Sequence, residues 1–232
     1  MLRRDAILAC CNRIFPHIDP HALYAEAVAH CWRHVTLAVV RPDTRAAVTP
    51  GQRKLVADAL ARGKGLLLLS AHTGLWELLP RVLLNQVAPA CKLAVVYKPL
   101  RCRPLDAIVA FLRARGLPSV TGIHVTDPRC FDRLREHLRL GHAVALLNDV
   151  RASKSSRHAV TRAVLGRDCR LNTSFVHLAR LSGAPTLFVT LAGDLQLRVT
   201  PIKPSIDAYV TQWACAVLAR PTEYFFWHSL LH

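Results

Sequence analysis

The chain has 232 residues, 52% of them hydrophobic, with a mean hydropathy of +0.22; it is long enough for a substantial core, yet no stretch approaches the roughly 18 uncharged residues of a membrane-spanning helix. Lys and Arg number 31 against 15 Asp and Glu, a net charge of +16 that favours anionic partners: nucleic acid, acidic lipid or an acidic carrier protein. Eight cysteines without a CxxC pair argue against a paired-cysteine zinc site and for the reduced thiols of a cytoplasmic chain.

Met1 to Arg4 followed by apolar residues imitates a signal peptide, but Asn12 and Arg13 end the apolar region too early for one. Residues 1 to 48 read as a helical extension, with helices over 4–14 and from Pro20 to about Val40. Leu23, Ala27, Trp32 and Leu37 recur there at roughly helical intervals. A helix over 52–62 stops at Gly63-Lys64-Gly65. Strand and helix then alternate: strand 66–71, helix 75–84, strand 93–97, helix 104–115, strand 119–122, helix 128–140 and strand 142–147. Arg151 to Arg170 is rich in Arg, Lys and His and reads as a basic loop. A helix opens at Asn172, strands follow at 186–191 and 195–200, and a helix over 206–218 precedes the aromatic tail Tyr224-Phe225-Phe226-Trp227. This rhythm predicts an α/β fold, a mostly parallel central sheet with helices on both faces, in one domain over 1–232 whose core is 50–230. Reactive groups then belong at the carboxyl ends of strands, where His72 and Asp149 fall. Pro80 requires a helix that starts at about Trp76 to Leu79 or is kinked there.

The most informative stretch is Ser70-Ala71-His72-Thr73-Gly74-Leu75-Trp76-Glu77. Histidine takes a proton near neutrality, and a neighbouring carboxylate fixes its tautomer and stabilises its charged form. Positions i and i+5 lie roughly 140° apart on a helix. The pair therefore meets only if His72 sits in the turn after a strand and Glu77 in the first turn of the next helix.

This segment resembles the lipid A late-acyltransferase family, whose corresponding stretch reads approximately His-Phe-Gly-Asn-Trp-Glu. Tyr97-Lys98-Pro99 is similar to the family's Tyr-Arg-Pro, Leu147-Asn148-Asp149 to part of its Leu-Pro-Asp-Gln, Val164-Leu165-Gly166 to its Phe-Phe-Gly, and Tyr224 to His228 to its closing Tyr-x-Trp-x-His. The resemblance implies a glycerolipid-acyltransferase-like fold and acyl transfer from an acyl carrier protein or coenzyme A thioester to a hydroxyl of a glycolipid, lipid or natural-product acceptor. It makes His72 the general base and Glu77 the residue that orients its imidazole. Tyr97, Lys98, Asp149, Arg151 and Gly74 become substrate-binding, with Lys98 and the turn amides around Thr73 and Gly74 as oxyanion donors and Asp149 as a second carboxylate near the imidazole.

No metal and no cofactor beyond the acyl thioester is implied. Leu75 and Asn148 depart from the family pattern, as does the lack of its N-terminal membrane segment, and these departures bear on the acceptor. A cytoplasmic protein is expected, in peripheral contact with the anionic inner face of the inner membrane. The alternatives are a catalytically idle acyl- or lipid-binding relative and a basic nucleic-acid-binding protein. The second lacks interleaved aromatics, which make up only 6% of the chain. GxSxG, GxGxxG, GxxxxGK[ST] and HExxH are all missing.

Overall fold

The computed structural model describes residues 4–40, 45–98, 106–107, 111, 117–153 and 156–225. Its strands are β1 (Leu66–Ser70), β2 (Leu93–Tyr97), β3 (Val120–His124), β4 (Ala143–Leu147), β5 (Ala159–Val164), β6 (Arg167–Asn172), β7 (Thr186–Leu191) and β8 (Leu197–Pro201). Six of them form one sheet in the order β3-β2-β4-β1-β7-β8. All neighbours in it are parallel except β8, which turns back antiparallel to β7.

β1 is central because its Leu66 to Leu69 run can be buried on both faces, as parallel strands require. The twofold period of a strand sends Leu67, Leu69 and Ala71 into one core and Leu66 and Leu68 into the other. The helices that cover these faces are α1 (Arg4–Ile14), α2 (Pro20–Val40), α3 (Pro50–Ala61), α4 (Leu79–Val82), α5 (Cys130–Arg139), α6 (Ser174–Ser182) and α7 (Ile206–Ala219). Leu134 and Leu138 of α5, Phe175 and Leu178 of α6, and Tyr209 and Trp213 of α7 fill the first core. Val56 and Ala59 of α3 with Leu75, Leu78, Leu79 and Val82 fill the second.

α3 begins two residues before Gln52 because Thr49 and Gln52 form a reciprocal capping box with Pro50 in the first turn. Pro80 is accommodated as its missing N–H demands. A 3₁₀ turn at Trp76–Leu78 leads into α4 with Pro80 at the start, and a π turn follows at Leu83–Val87.

Two sequence expectations change. The basic stretch is a loop only in its first part; from Ala159 it is a hairpin, β5 pairing antiparallel with β6. Leu165 and Gly166 turn it with φ of 51° and 73°, the positive pair of a tight two-residue hairpin. Its apolar positions alternate, with Val164, Cys169 and Leu171 buried, while Arg162 faces out to Asp207 of α7 at 2.6 Å. Second, Trp32 is 70% exposed, so the inward stripe of α2 does not run through it. The expected helix over 104–115 falls almost wholly outside the described residues, as do Phe226, Trp227 and His228.

Candidate active site

Parallel register brings the carboxyl ends of three strands level. Ser70 pairs with Leu147 across β1 and β4, and Val95 with Ala145 across β2 and β4. His72 and Asp149 lie two residues beyond these ends and Lys98 one residue beyond β2, at the edge where α/β sheets bind ligands.

Asp149 grips His72 twice. Its Oδ1 lies 2.7 Å from Nδ1 of the imidazole, and its Oδ2 accepts the His72 backbone N–H at 2.9 Å. The Asp149 side chain is 0% exposed and that of His72 is 15% exposed. A buried carboxylate needs partners that replace water, and here one residue supplies both. Because a carboxylate accepts, Nδ1 carries the hydrogen and Nε2 keeps its lone pair. The carboxylate at Nδ1 is thus Asp149, which the sequence reading offered as a second carboxylate near the imidazole.

Beneath this pair, Tyr209 of α7 donates its hydroxyl to the Ser70 carbonyl at 3.0 Å. Full burial, reinforced by the Asp149 charge, holds its phenol proton well above the ordinary value, so it remains a donor.

The turn after β1 spends its amides internally. Thr73 N–H bonds to Ala71 O at 2.7 Å, Gly74 N–H to Glu223 O at 3.0 Å and Leu75 N–H to Leu191 O at 2.6 Å. These three amides are therefore not the oxyanion donors that the sequence suggested. Gly74 is architectural: at φ +62° it adopts the left-handed region, and a Cβ there would run into the Leu191 carbonyl. The segment after α7 closes the turn from outside, Thr73 bridging to Tyr224 and Phe225 N–H bonding to His72 O at 2.9 Å.

Aromatic rings wall the imidazole. Trp76 meets His72 edge to face at 5.3 Å between centroids, and Phe225 meets Trp76 at 4.6 Å. Behind Trp76 lies His34 of α2, at 4.0 Å. His34 Nδ1 and His30 Nε2 both approach the Gly74 carbonyl, at 3.1 and 3.2 Å. These two histidines were missed by sequence reasoning. The available signal was the spacing Leu23, Ala27, His30, His34, Leu37, an inward stripe whose members at 30 and 34 are polar.

The remaining predicted site residues have other settings. Glu77 is half-buried on the 3₁₀ turn and near enough to His34 to favour its charged form. Lys98 is exposed at the end of β2, and Arg151 is exposed just past Asp149. Tyr97 packs edge to face on His124 at 5.4 Å. Among the described residues no group of three or more His, Cys, Asp or Glu is placed to hold a metal ion.

The fold and site together define an α/β protein with a histidine–aspartate pair on a strand-to-helix turn at the carboxyl edge of a parallel sheet. The family model for bacterial lipid A biosynthesis acyltransferases matches residues 24–230, from α2 to the closing segment. The chain belongs to that family, whose activity is acyl transfer to lipid. No curated protein matches the chain at a significant level. No helix among the described residues is long and apolar enough to cross a membrane.

Proposed function

We propose that this protein transfers an acyl group from a carrier-protein or coenzyme A thioester to a hydroxyl of a lipid A-type glycolipid or a related hydroxylated acceptor, with His72 as general base and Asp149 as the carboxylate that holds it. The observation that carries this reading is the double grip of Asp149 on His72, which puts the hydrogen of the neutral ring on Nδ1 and makes Nε2 the basic nitrogen.

In the proposed reaction Nε2 takes the acceptor's hydroxyl proton as the oxygen attacks the thioester carbonyl. The imidazolium is stabilised by Asp149. The tetrahedral intermediate then collapses, the carbon–sulfur bond breaks, and the departing thiolate recovers the proton from the imidazolium. No covalent enzyme intermediate is required. With the amides of Thr73, Gly74 and Leu75 already bonded, the developing oxyanion needs a side-chain cation, and Lys98, exposed just past β2 at the carboxyl edge of the sheet, is assigned that role. Glu77, with Nδ1 already taken, is assigned to the other side of the ring, where it orients the acceptor hydroxyl.

Mass spectrometry of products from a fatty-acyl carrier-protein thioester offered with a lipid A precursor and a panel of other hydroxyl acceptors tests the assignment. An O-acylated product formed by the wild type and absent with H72A supports it; undiminished product with H72A removes it. Peripheral membrane contact, motivated by the net charge of +16, is tested by sedimentation with anionic vesicles at low salt, and failure to sediment counts against it.

A further inference from the structure

The strand edge accounts for His72 and Asp149 but not for the two histidines on α2. Both approach one oxygen, the carbonyl of Gly74. A carbonyl only accepts, and it has two lone pairs, so each ring donates an N–H and together they saturate it. Gly74 N–H is taken by Glu223 O, so the Gly74 residue is fixed on both sides within the five-residue span between His72 and Glu77.

His34 differs from an ordinary buried ring in three ways. It is 3% exposed, and burial pushes its pKa down, so it is held neutral. With hydrogen on Nδ1, its Nε2 is a bare acceptor, and that atom is buried without a hydrogen-bond partner among the described residues. An orphaned acceptor of this kind is a net cost to folding. Its ring also lies against Trp76, the residue whose edge meets His72. Phenylalanine at this position would occupy similar space, keep the ring against Trp76 and remove the orphaned nitrogen. The one thing it would lack is the N–H to Gly74.

We infer that His34 is a positioning residue for His72: it pins the Gly74 carbonyl with Nδ1–H and backs Trp76 with its ring, and through both it holds the His72 imidazole with Nε2 toward the reacting hydroxyl. The inference rests on the proposed role of His72 as base. It makes α2 part of the catalytic apparatus rather than an appended layer.

The test measures acyl transfer from a fatty-acyl carrier-protein thioester, following thiol release, together with melting temperature, for the wild type, H34F, H34N, H34Q and H72A. H34F is expected to melt at or above the wild-type temperature while kcat falls about tenfold or more at unchanged KM, because misorientation of a base acts on the chemical step. The amide N–H of Asn falls near the position of Nδ1, whereas that of Gln falls near Nε2. H34N is therefore expected to retain several-fold more activity than H34Q, although both lose the ring. Wild-type kcat in H34F, or equal kcat in H34N and H34Q, overturns the inference. That second comparison decides the matter even if H34F does not fold. H72A separates the two levels: if it stays active the base assignment fails, whereas an inactive H72A beside a fully active H34F removes only the role of His34.

Discussion

His72 Nδ1 and Asp149 Oδ1 stand 2.7 Å apart although the two residues are 77 positions apart in the chain. The pair is assembled by sheet topology: β1 and β4 are adjacent and parallel, so residues just past their ends meet. The first prediction follows from this contact. D149N keeps the volume but offers Nδ1 an amide in place of a carboxylate, and the wrong tautomer then places hydrogen on Nε2. Rate losses of about 10²–10⁴-fold are expected for both H72A and D149N, with far less than additive loss in the double variant. E77Q is expected to lose less than D149N. Steady-state kinetics of the four proteins check this, and near-wild-type D149N removes Asp149 from the mechanism.

Lys98 carries the second prediction. If it faces the oxyanion, K98A lowers kcat by about 10²-fold, the scale of one oxyanion donor, and leaves the melting temperature unchanged because the side chain is exposed. A purely KM effect would reassign Lys98 to holding the substrate.

Gly74→Ala is a structural prediction. The positive φ and the blocked approach to Leu191 O make alanine strained there. A loss of about 2–5 kcal/mol is expected, readable by urea denaturation. The same substitution at Gly166, also at positive φ but with open space around it, is expected to cost less.

A pH prediction follows from His34. Burial is the largest influence on it and lowers its pKa from 6.5; His30 and His72 also lower it, while the Gly74 carbonyl and Glu77 oppose them. The unfolded chain therefore binds a proton at His34 more readily than the folded one. This contribution to stability is complete above about 6.5 and is lost progressively as pH falls below that value toward the lowered folded-state pKa. H34F, with nothing to titrate at this position, is expected to lose less stability than wild type between about pH 7 and pH 5. Parallel melting curves over that range, with no difference between the two proteins, would sink the claim.

Much of this architecture was legible because its signals are local. β2 and β7 fall at 93–97 and 186–191, as their apolar runs predict, and Pro80 sits in the first turn of α4 for the reason its missing N–H gives. The hairpin of β5 and β6 was obscured by its charge: the period-two signal rests on Val164, Cys169 and Leu171, and the turn puts a leucine, not an asparagine, at positive φ. The stripe of α2 was misread toward Trp32 because hydrophobicity stands in for burial in a sequence, and here histidines are inside and a tryptophan is out. That Asp149 binds Nδ1 directly had no local signal. The contact spans 77 positions of sequence, and it is strand order that brings Asp149 to the ring.

The turn that holds His72 is clasped by α2 near one end of the chain and by residues 223–225 near the other. Contacts of such long sequence separation form late, since the loops between them must close first. Activity should accordingly be the last property to return on refolding and the first to vanish under limited proteolysis at either terminus, well before the sheet itself melts. Turnover is thereby expected to report whether α2 and residues 223–225 are both docked on the turn.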